Sequence, residues 1–214
     1  MSSITADLEA LLAQRGALLE GHFRLSSGRH SDRFVQKFRL LEDPALVAPV
    51  AEAIAARFRA QRPTLVAGAA IGGIVLAYEV AKQLGTRFVF VEKEVGIPTL
   101  RRGFKVDRDD RVLVVEDVVT TGLSVREVVG VVRASGAHVV GIGVVVLRQA
   151  QDDIRQAQDV LRQAQDDLRQ AQDDIGGDIP IVALLDMPLQ SYDEGECPQC
   201  ISGVPIADPG SRRT

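Results

Sequence analysis

Apolar runs of strand length alternate with helical patterns along most of the chain. "TLVAGAAI" (64–71) precedes "GGIVLAYEVAKQLG" (72–85), and "RFVFVE" (87–92) and "RVLVVED" (111–117) follow. Then come "SVREVVGVVRASG" (124–136), "AHVVGIGVVV" (137–146) and "IPIVALLDM" (179–187). Hydrophobicity in the strand runs is continuous rather than alternating, which is expected of strands buried on both faces. The order β-α-β-β-α-β-β therefore predicts an α/β domain with a mainly parallel central sheet flanked by helices. An earlier helix is signalled by Asp43-Pro44, a cap followed by a first-turn proline, with Leu46, Val47, Val50, Ile54 and Phe58 at helical spacing. Residues before about 40 lack that rhythm.

One segment breaks the pattern. "LRQAQDDIRQAQDVLRQAQDDLRQAQDDI" (147–175) repeats every seven residues, with Leu147, Ile154, Leu161, Leu168 and Ile175 alternating with Ala150, Ala157, Ala164 and Ala171. Spacings of three and four make an a/d seam, so a helix of about 40 Å with a narrow apolar stripe is expected. Alanine at every d position and two aspartates in most repeats weaken that helix, and disorder is the alternative. Its expected role is that of an insertion tolerated at a surface loop.

Composition narrows the class. A chain of 214 residues with 46% hydrophobic residues and a formal net charge of −4 can bury one sizeable core. No apolar run reaches about 18 residues and no secretory leader pattern opens the chain, so the cytoplasm is the expected compartment, with no membrane partner. The mild acidity gives no electrostatic footprint for nucleic acid. Cys197 and Cys200 are too close together to staple a fold of this size. They are half of a zinc site by count, but His22, His30 and His138 are distant in sequence, so two reduced thiols in a loop are expected. A zinc shared across a dimer is the alternative.

Candidate chemistry concentrates in "VLVVEDVVTTGLSV" (112–125). A buried strand ends in Glu116 and Asp117, where open parallel sheets bind ligands, and a hydroxyl-rich turn follows. Ser124 and Glu127 have the S-x-x-E spacing of a capping box at the start of the next helix. Backbone N–H groups there, with Thr120, Thr121 and Ser124, suit a phosphate monoester, and Gly122 lets the backbone approach it closely. Like charges repel, so the acids face a neutral polyol or a bound cation beside the phosphate. Ribose 5-phosphate fits both halves. No G-x-x-x-x-G-K-[ST] or G-x-G-x-x-G is present, which disfavours P-loop and dinucleotide-binding readings.

The whole stretch resembles the phosphoribosyl diphosphate signature of type I phosphoribosyltransferases. "FRLSSGRHSDRFVQ" (23–36), "AGAAIGGIVLAYEVA" (67–81), "FVEKEVGIPTLRRGFKV" (90–106) and the C-terminal "ALLDMPLQSYDEGECPQC" and "GVPIADPGSR" are similar to segments of orotate phosphoribosyltransferases. That resemblance implies the type I phosphoribosyltransferase fold in one domain, 1–214. A small hood would come from about 1–40 plus 187–214, a core from about 41–186, and the repeat would be inserted at 147–175.

It also implies the reaction. Orotate and 5-phosphoribosyl 1-diphosphate, with Mg²⁺, give orotidine 5′-monophosphate and diphosphate, a step of pyrimidine synthesis. Glu116 and Asp117 would hold the ribose hydroxyls, and Val118, Val119, Thr120, Thr121, Gly122, Leu123 and Ser124 the 5-phosphate. Ala70, Ile71, Gly72 and Gly73 would carry the diphosphate, whose oxygens supply most Mg²⁺ ligands, so no dedicated protein metal ligands are expected. Lys93, the counterpart of a family loop lysine, and Arg101 and Arg102, standing where other loop cations are missing, would belong to a closing catalytic lid. Lys105 adds a fourth cation, and Gly96, Pro98 and Gly103 are read as preventing regular structure there. In the family this loop reaches the neighbouring subunit's site, which implies a homodimer with shared sites.

Orotate itself would meet Thr120, Phe34, Arg29 and Arg148. Phe34 is equally a core residue, Arg29 stands near Ser26, which replaces a family lysine, and Arg148 falls within a repeat that also carries Arg155, Arg162 and Arg169. His30 is left out of catalysis in this reading. Two further function classes stay open: transfer to another base, and a nucleotide-sensing regulator on the same fold.

Overall fold

The computed structural model describes residues 4–25, 28–120, 122–150 and 180–209. The chain begins with α1 (Ile4–Gln14), a β-hairpin of β1 (Leu18–Arg24) and β2 (His30–Val35), and two helices, α2 (Lys37–Leu41) and α3 (Pro44–Phe58). Then follow β3 (Leu65–Ala69), α4 (Gly72–Leu84), β4 (Arg87–Glu94), β5 (Ile97–Leu100), β6 (Arg111–Val119), α5 (Leu123–Ala134) and β7 (His138–Ala150). After the undescribed stretch come β8 (Ile181–Leu189) and α6 (Pro198–Ile201).

Six strands form one sheet in the order β5-β4-β3-β6-β7-β8, and β1 and β2 form a second, two-stranded antiparallel sheet. All neighbours in the large sheet are parallel except β4 and β5. From β3 the chain crosses through α4 to β4 on one side. Later it returns to β6 on the other side of β3, so the winding reverses between β3 and β6. The crevice outside the carboxyl ends of those two strands is where such a sheet binds ligands.

Both faces of the sheet are covered, which explains the unbroken apolar runs. Val66, Leu113, Val115 and Val145 face α1, α3 and α4, packing with Leu8, Ile54, Phe58 and Leu76. Leu65, Ala67, Val112, Val114 and Val144 face α5, packing with Val125, Val128 and Val132. Each such valine, leucine, isoleucine or phenylalanine taken wholly from water contributes about 1.5–3 kcal/mol. In α3, the Asp43 carboxylate accepts the Ala45 N–H at 2.9 Å, and all five residues of the expected stripe are buried.

Four expectations are corrected. A helix, α1, precedes residue 40, and Leu8 and Leu12, one turn apart, are buried in the core. The basic stretch after Glu92 has regular structure: β4 and β5 form a hairpin with Glu94 opposite Ile97. Val95 and Gly96 have φ of 51° and 82°, so the two-residue turn bends in the sense that suits twisted strands. Pro98 sits on the edge strand, where a missing N–H costs least. Ser124 and Glu127 form no capping box, because α5 starts at Leu123 with Gly122 (φ 71°) as its N-cap and no side-chain cap bond.

The fourth correction concerns the repeat. Its first residues, 147–150, are the end of β7, paired with β8 through Ala150 opposite Leu189. The helix expected over the remainder lies outside the described residues. Because Ile181 starts β8 opposite Ile142, the chain between 150 and 181 has to travel back along eight residues of strand, about 26 Å at 3.3 Å per residue.

Candidate active site

The loop from β3 into α4 is pressed against the end of β6. A Cβ on Gly68 would collide with the Gly73 carbonyl, and one on Gly72 with the Asp117 carboxylate, so glycine is required at both positions for this approach. Ala70 and Ile71 stay exposed while Gly72 and Gly73 are buried. The start of α4, with its N–H groups and positive dipole end, thereby faces the two acids of β6.

Glu116 and Asp117 are 5% and 1% exposed. Asp117 Oδ1 accepts the Val118 N–H at 2.6 Å and lies 3.2 Å from Lys37 Nζ, whose distance to Oδ2 is 3.1 Å. Glu116 Oε1 accepts the Asp117 N–H at 3.3 Å. Burial, reinforced by the adjacent Asp117 charge and only partly countered by Lys37, pushes the Glu116 carboxyl up to about 8. At neutral pH, Glu116 is therefore mostly protonated beside Asp117, which pairs with the Lys37 ammonium.

Lys37 escaped the sequence reading. It is the first residue of α2, separated from the end of β2 by one residue, and no motif marks it; only the fold carries it across 80 positions to Asp117.

Glu116 also lines an open hollow of about 40 Å³ with residues 118–120 and 122–125. The hollow is smaller than a typical ligand pocket of about 300–1,000 Å³ and suits one anionic group of a larger ligand. The acid pair and the hydroxyl turn thus share one end of the sheet. Thr120 and Ser124 are exposed there, and Thr121 lies outside the described residues. Arg148 is 8% exposed on β7, one position beyond Leu147, the partner of Val119 at the end of β6.

The hairpin cations are held by acids and not by the β6 pair. Lys93 Nζ lies 2.7 Å from Glu127 on α5. Arg102 is 3.0 Å from Glu92, and Arg101 is 3.3 Å from Glu94. Lys105 is exposed. In the β1–β2 hairpin, Phe34 is half-buried with its ring 5.8 Å from that of Phe23. Arg29 donates to the Ser191 hydroxyl and carbonyl and pairs with Asp193 at 2.8 Å, so it ties the hairpin to the C-terminal segment. Ser26 lies outside the described residues. The expectation that no histidine stands near the cysteines is overturned: the same hairpin brings His22 and His30 against Cys197 and Cys200.

With that geometry in view, comparisons with known proteins converge. The family described as phosphoribosyl transferase domain matches residues 39–168. An orotate phosphoribosyltransferase of Pelotomaculum thermopropionicum is 42% identical over 207 residues, covering 97% of each chain. One from Carboxydothermus hydrogenoformans is 41% identical over 209 residues, covering 97% of this chain and 98% of that one. Among solved structures, the orotate phosphoribosyltransferase of Aeropyrum pernix superposes with a TM-score of 0.64 at 27% identity, over 84% of this chain and 93% of that one.

Proposed function

The chain belongs to the orotate phosphoribosyltransferase family, and on that premise we propose that its sheet-end crevice transfers the phosphoribosyl group of 5-phosphoribosyl 1-diphosphate to orotate. The products are orotidine 5′-monophosphate and diphosphate. In this pentosyl transfer the bond between C1 and the diphosphate oxygen breaks, its electron pair leaving with diphosphate, and orotate N1 forms the new bond to C1 while its N1–H bond breaks, the proton passing to the departing diphosphate or to water. Positive character gathers on the ribose and negative charge on the leaving group, so catalysis rests on positioning and preorganised charge.

The observation that carries the assignment of roles is the shared hollow of Glu116 and the turn after it. The 5-phosphate sits on residues 118–124 at the start of α5, and the ribose hydroxyls meet Glu116 and Asp117. Asp117 supplies the negative charge that favours the developing cation, and protonated Glu116 donates to a hydroxyl without adding repulsion. Asp117 Oδ1 accepts from Val118 and Lys37, whereas Oδ2 has the Lys37 ion pair but no hydrogen bond, so Oδ2 is the oxygen left to accept from a ribose hydroxyl. The diphosphate lies on residues 70–73, and Arg148 takes the orotate carboxylate, a pairing that suits a guanidinium fork. Thr120, Arg29 and Phe34 complete the orotate side.

Magnesium fits as a companion of the substrate. With Glu116 largely neutral and Asp117 balanced by Lys37, the acid pair lacks the surplus charge of a protein cage, and the diphosphate oxygens would hold the ion. When bound, it neutralises charge on the leaving group.

The hairpin is the lid: Lys93, Arg101 and Arg102 exchange their acidic partners for diphosphate oxygens. A homodimer with shared sites belongs to the same reading. Its support is the exposed apolar set of Val75 and Tyr78 on α4 and Val95 and Ile97 at the hairpin tip. The cytoplasm is included, supported by two cysteines that form no disulfide.

Mixing the purified protein with phosphoribosyl diphosphate and Mg²⁺ and following orotate absorbance tests the assignment. Orotate should be consumed, uracil, adenine and hypoxanthine should not, and Asp117→Asn should abolish most of the rate. Consumption of another base in place of orotate would reject it.

A further inference from the structure

Four metal-binding side chains meet, two from the β1–β2 hairpin and two from the C-terminal segment. His22 on β1, His30 at the start of β2, and Cys197 and Cys200 around the start of α6 bring one donor atom each to within 4.8 Å of one another. Three of the four residues are buried: His22 at 4%, His30 at 2% and Cys197 at 1% exposed. The assigned reaction uses none of them.

The spacing between donors is that of a coordination shell. His22 Nε2 lies 3.1 Å from His30 Nδ1, 3.5 Å from Cys197 Sγ and 3.6 Å from Cys200 Sγ, and His30 Nδ1 lies 3.1 Å from Cys200 Sγ. For zinc with bonds of about 2.0–2.1 Å to nitrogen and about 2.3 Å to sulfur, a tetrahedron has edges of about 3.3 Å (N–N), about 3.6 Å (N–S) and about 3.8 Å (S–S). Three of these four separations match that set to within about 0.2 Å, and the His30–Cys200 edge is about 0.5 Å shorter.

Hydrogen bonding alone leaves the arrangement unexplained. His22 Nδ1 lies 2.8 Å from the Val204 carbonyl, an acceptor, so Nδ1 carries the proton and Nε2 presents its lone pair to the cluster. Three neighbours crowd that single lone pair. A metal-ligating histidine whose other nitrogen donates to a backbone carbonyl is the usual way such a ring is fixed. Gln199 Nε2 also donates to the Gly21 carbonyl at 2.9 Å, fastening the loop between the cysteines to the strand that bears His22.

From this geometry we infer that His22, His30, Cys197 and Cys200 form a structural Cys₂His₂ zinc site that clamps the C-terminal segment onto the β1–β2 hairpin. Binding displaces a proton from each thiol, and Zn²⁺ with two thiolates and two neutral imidazoles leaves the cluster without net charge, which burial favours. All four positions are protein donors, so the site is closed and its role is holding, not catalysis. It joins residues up to 178 positions apart, and it does so on the hairpin that leads into Lys37.

The test uses full-length, untagged protein purified under reducing conditions without chelator. Elemental analysis should find about one zinc per chain. Replacing zinc with cobalt(II) should give the visible bands of a tetrahedral ion and a thiolate-to-cobalt charge-transfer band. Cys197→Ser and Cys200→Ser should lose bound zinc. The cobalt spectrum of the unaltered chain decides the matter even if those variants fail to fold. Absence of zinc together with a hexa-aquo cobalt spectrum, or a Cys197–Cys200 disulfide in the reduced preparation, would overturn the inference.

Discussion

Lys37 and Asp117 show how the site balances its charges. Asp117 is almost wholly enclosed, whereas the Lys37 side chain keeps 37% of its surface in solvent, so the pair is worth less than a buried one. Lys37→Met should cost about 1–2 kcal/mol in denaturant unfolding, most of it from leaving a buried carboxylate without its cation. Asp117→Asn keeps the shape and removes the charge. It should lower kcat roughly a hundredfold, the order seen when one preorganised electrostatic group is lost. Glu116 gives a pH signature. Its folded-state value of about 8 lies above the ordinary 4.5, so the stability it contributes is full below about 4.5 and lost as pH rises through about 8. Melting curves of the wild type should fall relative to Glu116→Gln across that interval; parallel curves would show that the carboxyl is not held neutral. The acids and the turn were legible in the sequence because they adjoin along fourteen residues. Lys37 was not, because its partner is distant in the chain.

At the scale of elements, the β4–β5 hairpin and the β7–β8 connection carry the sharpest expectations. Lys93 pairs with Glu127 on a half-exposed surface, so Lys93→Ala should shift stability by less than about 1 kcal/mol. If the hairpin is a lid, the same change lowers kcat well beyond that, and the split between melting point and turnover separates the two roles. Deleting residues 151–175 leaves five residues, six Cα-to-Cα steps reaching about 20–22 Å, for a return of about 26 Å, so the facing ends of β7 and β8 could not both stay paired and the melting point should fall. Removing one unit, 162–168, should leave both melt and activity near wild type. Strands β3, β6 and β7 were readable because burial on both faces writes itself as continuous valine and leucine. The hairpin was not, because Gly96 and Pro98 signal a breaker as readily as a tight turn and an edge strand. Leu147 and Ala150 fit a heptad seam, yet pairing with β8 outweighs that local rhythm.

Across the whole molecule, the N-terminal hairpin and the C-terminal segment are bound to each other. Bridges join Phe23 to Ala207 and His30 to Tyr192, and Ser31 donates to the Gln190 carbonyl, so the C-terminal segment is bound to the hairpin that leads into Lys37. These contacts span more than 150 positions and leave no periodic trace, which is why two histidines and two cysteines read as unrelated in the sequence and converge in the fold. Shared sites between subunits have their own consequence. Mixing Lys93→Ala with Asp117→Asn protein should restore partial activity if the hairpin of one subunit serves the partner's acids, and none if each subunit works alone. The central claim is tested most directly by a crystal structure with ribose 5-phosphate bound. The phosphate should lie within hydrogen-bond reach of residues 118–124 and the ribose hydroxyls against Glu116 and Asp117; a sugar bound elsewhere, or lying with its phosphate toward the acids, would contradict it.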